Sequence, residues 1–496
     1  MNARSWTLPL LLLGTTTCGG LSTQAGPCAA LQGQSVEGAA ITARHVAAAG
    51  GLPEHCEVKG SLPPALDFQV WLPSDWNGKA VFAGGGGFDG VIQDFTYPAY
   101  AASRFAVIAS NGGHTGEVFD GSFALDAAQL EDFASQSTHR VMPVARALVR
   151  AFYGRDATRA YFEGCSNGGR EALIEAQRWP EDFDGIIARA PAYDFVELML
   201  AFNRHTQLLS QPGASLSDAK LASLGQAVLA ACDAQDGLAD GILSNPGACA
   251  FDPATLQCQG AESDACLTAA QLTPVRAVYA PYVLNGQTIY DGWPAGGEND
   301  PDAWATWITG HGTPSASVGG IFGRELVRYL VTQQPTYDPL AFQPTDWLPR
   351  IQQLSARISA NSTDLSGFRA RGGKLVLWHG GTDAAISQKG TASYYERVVQ
   401  AAGGQKTADG FVEYFPAPGV NHCAGGAGPD TVDLLSALDV WVEHGTAPSG
   451  QGLTLRKINA SGQAALSRPL CKYPRYPRYN GTGDANQATS FTCTAP

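Results

Sequence analysis

The sequence has few charged residues, and positive charge is the scarcer sign. Of its 496 residues, 16% are charged, and 32 Lys and Arg stand against 45 Asp and Glu, for a formal net charge of −13. Proteins that bind nucleic acid or anionic membranes present positive surfaces, so this balance argues against both kinds of partner. Hydrophobic residues make up 44% of the chain, which is typical of a globular protein and not of a disordered one.

Long apolar runs, internal repeats and low-complexity segments are also missing. The one marked apolar run, Leu8–Leu13, follows Arg4 and precedes small residues up to Ala25. A positive start, a short apolar centre and small residues behind it predict a secretory signal peptide. A buried N-terminal helix is the alternative. We expect residues 1–25 to be removed, Cys18 to leave with them, and the mature protein to be secreted or periplasmic without a membrane anchor.

No Cys/His pattern suggests zinc, although the chain contains 11 cysteines. Without Cys18, ten remain, an even number in a chain that we expect to be exported, and disulfides are then the default. The count alone does not give the connectivity. Four pairs are close in sequence, which leaves Cys165 and Cys423 only each other. The four local pairs are Cys28 with Cys56, Cys232 with Cys249, Cys258 with Cys266, and Cys471 with Cys493.

Short apolar runs alternate with helical patterns over much of the chain. The runs end in glycines or in polar residues of the types that serve in catalysis. This alternation predicts a mostly parallel α/β sheet whose ligand site lies at the carboxyl ends of the strands. Residues 192–370 interrupt the alternation and are rich in Pro, Gly, Trp and paired cysteines. We interpret them as a lid domain inserted into a catalytic domain that comprises residues 26–191 and 371–496.

The segment Gly164–Gly168 reads Gly-Cys-Ser-Asn-Gly, which is the G-x-S-x-G pattern of a nucleophile elbow. A strand-like run precedes it, and a helical pattern that stops before Pro180 follows it. The flanking glycines allow a tight turn that lifts the hydroxyl of Ser166 above the sheet, and the helix N-terminus favours developing negative charge. A glycine-rich turn without a catalytic role is the alternative. The context predicts that Ser166 is a nucleophile.

A serine nucleophile needs a histidine base that is oriented by a carboxylate, in the chain order Ser, Asp or Glu, His. Asp383 follows a buried strand-like run, and His422 lies in a later loop, so both fit this order. His379 and His444 are the rival bases, but the first lies in the strand and the second near a helix end. The alternative role of Asp383 is to cap the next helix. We expect Ser166, Asp383 and His422 to form a triad.

One cysteine stands beside each end of this predicted pair, Cys165 before Ser166 and Cys423 after His422. If the serine and histidine lie within hydrogen-bond reach, about 2.6–3.2 Å, their chain neighbours also lie close. A disulfide requires Cα atoms about 4.4–6.8 Å apart, so the bond is compatible with the triad. By the chain-entropy estimate it contributes roughly 4–5 kcal/mol of stability. It would also hold the base against the nucleophile.

Acyl transfer at a serine further requires hydrogen-bond donors for an oxyanion. One expected donor is the backbone N–H of Asn167, the residue after the nucleophile. The second is expected from the glycine run at residues 83–90, where Gly86 and Gly87 are the candidates because glycine lets a backbone amide approach a substrate closely. A glycine-rich turn without this role is the alternative.

Three carboxylates crowd into one short segment of the predicted lid. Asp233, Asp236 and Asp240 repel one another unless a cation neutralises them, and oxygen ligands in a short glycine-punctuated loop suit Ca²⁺. The backbone carbonyls of Leu238 and Ile242 are candidates to complete the shell. The spacing is not that of an EF-hand, and a solvated acidic loop is the alternative that it leaves open.

The Cys-Ser pair of the elbow, the aspartate of His-Gly-Gly-Thr-Asp and the His-Cys pair together resemble the CS-D-HC motif of the tannase and feruloyl esterase family. The resemblance covers most of the mature chain. It implies an α/β-hydrolase core, a large lid inserted before the strand that leads to the aspartate, and hydrolysis of esters of aromatic acids. The lid calcium site of the family also matches the acidic segment, so the resemblance implies a structural Ca²⁺ and no organic cofactor.

The resemblance leads us to expect a secreted serine esterase that cleaves esters of aromatic, feruloyl-type acids through an acyl-enzyme. A tannase for galloyl esters and a mono(2-hydroxyethyl) terephthalate hydrolase are alternatives of the same class, and a catalytically inactive binding protein is one of another class. For recognition by the lid we consider Trp293 and Phe322 as stacking residues and Arg324 as a partner for a distal carboxylate, against the alternatives of lid core and solvated helix face. Further candidates are Trp304, Trp307, Trp347 and Arg328.

Overall fold

The computed structural model describes residues 25–93 and 97–496. The predicted signal peptide, residues 1–25, therefore lies outside the described residues except for Ala25, where the first helix begins. Cys18 lies outside as well. Within the described ranges, every helix is too short or too polar to cross a bilayer.

A ten-stranded sheet forms the centre of the described chain, and three two-stranded sheets lie outside it. In chain order the strands are β1 Ser35–Val36, β2 Ala39–Val46, β3 His55–Leu62, β4 Leu66–Pro73, β5 Lys79–Ala83, β6 Ala106–Ser110, β7 Arg159–Cys165, β8 Gly185–Arg189, β9 Tyr282–Leu284, β10 Gln287–Tyr290, β11 Lys374–Gly380, β12 Val412–Ala417, β13 Thr454–Ile458, β14 Ala464–Pro469, β15 Tyr476–Tyr479 and β16 Phe491–Thr494.

The central sheet combines an antiparallel and a parallel half in the order β1-β2-β3-β4-β6-β5-β7-β8-β11-β12. Strands β1 to β4 pair antiparallel, as do β4 and β6, whereas the six strands from β6 to β12 in this order pair parallel. The predicted α/β class with a mostly parallel core is confirmed. The search for apolar runs missed β2 and β3, because the outer faces of these strands are largely polar.

The α-helices of the described residues are α1 Ala25–Leu31, α2 Tyr97–Ala102, α3 Ala127–Glu131, α4 Ser137–Tyr153, α5 Asn167–Arg178, α6 Phe195–Leu209, α7 Asp218–Cys232, α8 Ala269–Tyr279, α9 Val318–Glu325, α10 Leu348–Ile358, α11 Ser366–Ala370, α12 Gln388–Ala401, α13 Gln405–Ala408 and α14 Leu434–His444. Helices α4, α5 and α12 pack on one face of the sheet, and α14 packs on the other. The parallel strands are therefore buried on both faces, which explains their continuous apolar sequences.

The segment between β8 and β11 packs over the carboxyl ends of the parallel strands. It contains helices α6 to α11 and the hairpin β9–β10. Its apolar core is continuous with residues of the catalytic part, since Phe88, Phe133 and Ala385 belong to the same buried cluster as Trp304 and Phe322. A side chain from this insertion can thus reach a site at the strand ends.

Five disulfides connect the ten cysteines of the described chain. They join Cys28 to Cys56, Cys165 to Cys423, Cys232 to Cys249, Cys258 to Cys266, and Cys471 to Cys493. These are the same five pairs that the sequence spacing indicated. So many disulfides are typical of proteins that fold in an oxidising compartment.

Candidate active site

Ser166 lies in a sharp turn between β7 and α5. Its backbone adopts φ 65° and ψ −123°, a conformation that is unfavourable for a residue with a side chain. The two flanking glycines make the turn possible, because a Cβ at Gly164 would lie 2.5 Å from the carbonyl oxygen of Gly168, and a Cβ at Gly168 would lie 2.6 Å from that of Gly85. The strand, turn and helix have the arrangement of a nucleophile elbow.

Asp383 and His422 meet beyond the carboxyl ends of β11 and β12. The distance between His422 Nδ1 and Asp383 Oδ2 is 2.8 Å, and Oδ1 of the aspartate accepts hydrogen bonds from the amides of Ala385 and Ile386 at 2.8 and 2.9 Å. Burial alone would raise the pKa of Asp383, but the charge of His422 and the hydrogen bonds to the histidines outweigh it and hold this pKa well below its ordinary value. The carboxylate is therefore ionised at neutral pH and can orient the imidazole.

His379 also contacts Asp383, but its position differs from that of His422. Its Nε2 lies 3.2 Å from Asp383 Oδ2 and 3.0 Å from the carbonyl oxygen of Ile386, and its Nδ1 lies 2.8 Å from Thr391 Oγ1. Since a carbonyl only accepts, these partners assign Nε2 as the donor. The side chain of His379 is 0% exposed, whereas that of His422 is 13% exposed. His379 thus orients the aspartate, while the other rival, His444, is exposed at the end of α14.

A cavity of about 590 Å³ lies between the elbow and the insertion, and both Ser166 and His422 line it. The disulfide between Cys165 and Cys423, with Cα atoms 6.0 Å apart, forms part of its wall. The wall on the insertion side is apolar. It consists of Trp307, Val318 and Phe322 of the insertion and of Val118 and Phe119 of a neighbouring loop of the core. The opposite side includes polar groups, namely Gln93, Tyr100, Glu163 and Arg189.

The glycine run that follows β5 forms the edge of the cavity nearest the elbow. Gly86 and Gly87 both line the cavity. Gly87 has a φ of +61°, and a Cβ there would lie 2.5 Å from the carbonyl oxygen of Val118, so only glycine fits. Asn167 is the first residue of α5, and its N–H therefore has no acceptor within the helix. The structure thus brings the three predicted oxyanion residues to the region around Ser166.

The structure separates the predicted substrate residues. Phe322 lines the cavity, and the ring of Trp307 lies 5.0 Å from that of His422. Among the described residues, Trp293 and Arg324 are not part of the cavity wall. Trp293 is 2% exposed and packs in the core of the insertion, and Arg324 Nε pairs with Glu325 at 3.0 Å. Of the further candidates, Trp304 is buried in that core, Trp347 packs near Tyr337, and Arg328 donates to the carbonyl of Tyr337.

The polar wall contains residues that sequence reasoning missed. Glu163 and Arg189 pair at 2.7 Å, and burial together with Glu163 raises the pKa of Tyr100 well above its ordinary value. Both charged residues lie at the carboxyl ends of β7 and β8, where ligand sites of parallel sheets occur. Their position at the strand ends was the only hint in the sequence that these residues line a site. A charged residue that merely marks the end of a strand would look the same.

The acidic segment of the insertion lies away from this cavity. Each of its carboxylates accepts hydrogen bonds from nearby backbone amides. The pairs are Asp233 with Gly241, Asp236 with Leu238 and Ser244, and Asp240 with Ile242. Oδ1 of Asp233 is buried and has no hydrogen-bond partner among the described residues.

Burial, opposed by hydrogen bonds, raises the pKa of both Asp236 and Asp240, and the neighbouring carboxylates add to the rise. Arg468 donates to Asp240 and offsets part of the negative charge. Among the described residues, no three His, Cys, Asp or Glu side chains lie close enough together to hold a metal ion as they stand. The orphaned oxygen of Asp233 and the all-oxygen donor set nevertheless fit a hard cation such as Ca²⁺.

Residues 51–494 match the sequence pattern of the family described as tannase and feruloyl esterase. The chain belongs to the tannase and feruloyl esterase family. The family that the CS-D-HC motif predicted is thus confirmed, and so is the enzyme class, because its members are carboxylic ester hydrolases.

Two relatives illustrate the range of the tannase and feruloyl esterase family. Mono(2-hydroxyethyl) terephthalate hydrolase of Piscinibacter sakaiensis is 38% identical over 499 residues, which cover 87% of this chain and 82% of that protein. A probable feruloyl esterase B-2 of Aspergillus terreus is 31% identical over 452 residues, which cover 86% of this chain and 83% of that protein.

Solved structures of the family share the fold. Feruloyl esterase B from Aspergillus oryzae superposes with a TM-score of 0.85 at 28% identity, covering 95% of this chain and 100% of that one. Tannin acyl hydrolase from Aspergillus niger superposes with a TM-score of 0.75 at 22% identity, covering 96% of this chain and 95% of that one. The second likeness bears on the fold alone. The α/β-hydrolase architecture expected from the sequence is thereby confirmed.

Proposed function

We propose that this ester hydrolase is a secreted serine esterase for esters of aromatic acids, with Ser166 as nucleophile, His422 as base and Asp383 as the orienting acid. The observation that carries the proposal is the geometry of His422, which contacts the buried Asp383 at 2.8 Å and lines the same cavity as Ser166. A complete set of this kind is needed for covalent catalysis and not for binding alone.

The reaction begins with attack of Ser166 Oγ on the ester carbonyl. The Nδ1–H of His422 donates a hydrogen bond to Asp383. The other ring nitrogen, Nε2, is thus free to take the proton of the serine. The protonated imidazole then gives that proton to the departing alcohol. Water, activated by the same His422, attacks the acyl-enzyme and releases the acid. The ionised Asp383 stabilises the imidazolium in both halves of the reaction.

The oxyanion of each tetrahedral intermediate is proposed to accept hydrogen bonds from the backbone amides of Asn167 and of Gly86 or Gly87. The position of Asn167 at the start of α5 adds the positive end of the helix dipole. Donors of this type typically contribute about 10²–10³-fold to kcat.

We propose an acyl group of the feruloyl type for this cavity. Its apolar wall offers Phe119, Trp307 and Phe322 for contact with an aromatic ring. Among the described residues of the cavity, the single cationic side chain is that of Arg189, which Glu163 already neutralises. This favours a neutral aromatic ring over one that carries a distal carboxylate.

Hydrolysis of mono(2-hydroxyethyl) terephthalate is the second candidate function, because a relative of that name is 38% identical to this chain. Cleavage of galloyl esters is the third and is supported by the family alone. The three differ in the acid that they release, so a comparison of substrates distinguishes them.

The test compares kcat/KM of the purified mature protein on methyl ferulate, methyl gallate, mono(2-hydroxyethyl) terephthalate and a short p-nitrophenyl ester. We expect the highest value for methyl ferulate. The Ser166→Ala variant should fold but neither hydrolyse these esters nor react with a fluorophosphonate probe. Hydrolysis by that variant would refute the assigned nucleophile, and an inactive, unlabelled wild type would favour a binding protein.

We propose that the protein is secreted or periplasmic and that residues 1–25 act as a signal peptide. The five disulfides and the N-terminal sequence pattern support this. Mass spectrometry of the protein recovered from the medium or periplasm should show a mature N-terminus close to Ala25. A retained N-terminal methionine would contradict it.

We also propose that the acidic segment binds a structural Ca²⁺ through the carboxylates of Asp233, Asp236 and Asp240, with the carbonyls of Leu238 and Ile242 as further ligands. The unpartnered Asp233 Oδ1 supports this. Ca²⁺ should raise the Tm of the chelator-treated protein, and Asp233→Asn should abolish the increase. Asp252→Asn, a change at the start of a nearby helical turn, is the control. An unchanged wild-type Tm would contradict the site.

A further inference from the structure

Two buried carboxylates lie beneath the elbow, one on each of the segments that carry the proposed oxyanion donors. Asp89 belongs to the loop after β5 and is 1% exposed, and Glu171 belongs to α5 and is 6% exposed. Their side chains are in hydrogen-bond contact with each other. The catalytic mechanism above makes no use of either group.

The two residues connect the loop and the helix in a reciprocal way. Asp89 on the loop accepts a hydrogen bond from the side-chain amide of Asn167 on the helix. Glu171 on the helix accepts one from the backbone amide of Gly85 on the loop at 3.0 Å. The same Asn167 amide lies 3.4 Å from Glu171 Oε1, so all three side chains form one cluster.

Among the described residues, the cation nearest to the cluster is Arg170, and it bonds to the amide of the cluster but not to its carboxylates. Arg170 donates from Nε to Asn167 Oδ1 at 2.6 Å. Its remaining nitrogens donate to the backbone carbonyls of Phe133, Ala134 and Ile358. Within residues 25–93 and 97–496, therefore, neither Asp89 nor Glu171 has a direct ion pair. One turn further along α5 lies a third buried carboxylate, Glu175, whose pKa is raised by burial and by the neighbouring Asp182 and Glu171.

Two carboxylates in contact, both buried and without an ion pair, cannot both be ionised at moderate cost. One proton between them satisfies the hydrogen bond, and the remaining single negative charge balances that of Arg170. No donor among the described residues reaches the buried Oδ2 of Asp89, which leaves this oxygen free to carry the proton. Burial and the neighbouring Glu171 raise the pKa of Asp89 well above its ordinary value, in agreement with this geometry.

We infer that Asp89 and Glu171 share one proton and act as positioning residues that fix the glycine loop against the elbow, and thereby set the spacing of the two oxyanion donors. The inference rests on the proposed function of Asn167 and of Gly86 or Gly87 as those donors. Neither carboxylate touches the substrate. Removal of the bridge should lower kcat more than it raises KM, because an oxyanion donor acts chiefly in the transition state.

The shared proton is tested by infrared spectroscopy at neutral pH. The difference spectrum of wild type minus Asp89→Asn should contain the carbonyl band of a protonated carboxyl group. The same band should be missing in Glu171→Gln, since either amide replaces the shared proton. Asp156→Asn, which changes an exposed carboxylate, should leave this spectral region unchanged. A difference spectrum without the band would overturn the shared proton.

The positioning role is tested by the kinetics of the same variants on the best ester. Asp89→Asn keeps the hydrogen bonds and should retain a kcat close to wild type, whereas Asp89→Ala should lower kcat by roughly 10²–10³-fold, the effect of a lost oxyanion donor. Circular dichroism checks that both variants fold. A folded Asp89→Ala protein with wild-type kcat, or a folded Asp89→Asn protein as slow as the alanine variant, would overturn the role.

The infrared and kinetic experiments together distinguish a failure of this inference from a failure of the proposed function. A wild type that hydrolyses no ester would overturn the proposed function and the positioning role with it. The infrared band does not depend on activity, and it decides on the shared proton in either case.

Discussion

The two sides of the cavity that Ser166 and His422 line are held by different kinds of contact. On the core side, Ser166 lies in a strained turn, glycines approach neighbouring backbone within van der Waals distance, and a disulfide joins Cys165 to Cys423. On the insertion side, the wall consists of the side chains of residues such as Trp307 and Phe322.

This difference separates the chemistry from the choice of substrate. The core side tolerates few substitutions. A side chain in place of one of its glycines would lie too close to neighbouring backbone, which would have to move. A wall of side chains can change shape one residue at a time without moving Ser166 or His422. We therefore expect large losses of rate from changes on the core side and graded changes of specificity from the insertion.

The two histidines that contact Asp383 provide the sharpest test on the core side. We expect His422→Ala to lower kcat by about 10⁴-fold or more, because the base is lost. His379→Gln should lower it far less, since His379 only orients the aspartate from within the core. The measurement is kcat on a p-nitrophenyl ester, with the thermal stability of both variants as the control. A larger loss of kcat for a folded His379 variant would reverse the assignment.

The disulfide beside the catalytic pair should matter more than a disulfide of the insertion. By loop-closure entropy, the double change Cys165→Ala/Cys423→Ala is expected to cost roughly 5 kcal/mol of unfolding free energy. The matched change Cys258→Ala/Cys266→Ala, across a sequence separation of 8 instead of 258, should cost roughly 2.5 kcal/mol. Denaturant unfolding measures both. Equal losses of stability in the two variants would contradict the larger stabilisation by the bond between Cys165 and Cys423. An unchanged kcat in the first variant would contradict its role in holding His422 against Ser166.

On the insertion side, Trp307→Ala and Phe322→Ala should each lower kcat/KM for methyl ferulate by about 10–100-fold, corresponding to about 1–3 kcal/mol of lost apolar contact. The value for a short acetyl ester should change little, because its acyl group does not reach this wall. Trp293→Phe, a change in the insertion away from the cavity, serves as the matched control. Equal losses on both esters would show that the two sides of the cleft are not separable.

The smallest effect is expected from Glu298, a buried residue of the insertion. Burial raises the pKa of Glu298 to about 7, while its hydrogen bonds with Gly296 and Tyr279 oppose the rise. The folded state therefore keeps a proton that the unfolded chain releases near pH 4, and stability falls as the pH rises from about 4 to about 7. Buried Asp194, with a pKa of about 7, acts in the same direction.

Glu298→Gln should flatten this pH dependence and, above pH 7, gain on the order of 2 kcal/mol relative to wild type. Unfolding free energies measured between pH 4 and pH 8 give the comparison. An unaltered slope would show that the proton is not held in the folded state.

Much of the core side could be read from the sequence. The parallel strands are continuous apolar runs because both of their faces are buried, and the elbow needs glycines at fixed positions, so β7, α5 and Ser166 were predictable. The pairing of Cys165 with Cys423 was indicated because the remaining cysteines have nearer neighbours. Strands with one polar face, such as β2 and β3, leave a weaker pattern and were missed.

The insertion side was much less predictable. Trp293 and Trp307 are chemically alike, and it is tertiary packing that buries the first in the core of the insertion and places the second at the cavity wall. The role of His379 beside Asp383 also depends on tertiary contacts, as does the pairing of Glu163 with Arg189 across β7 and β8. Glu163 and Arg189 are distant in sequence, and the contact of His379 with Asp383 forms only once the turn after β11 has folded, so no apolar or polar pattern of the sequence records either.

The bond between Cys165 and Cys423 also orders events during synthesis of the chain. Cys165 leaves the ribosome 258 residues before its partner. The four cysteines of the insertion emerge in between, and each has a partner within 17 residues. The native bond of Cys165 therefore cannot form until the insertion and the loop that carries His422 have been made. The covalent link between the segments that carry Ser166 and His422 can thus be made only once nearly the whole chain has been synthesised.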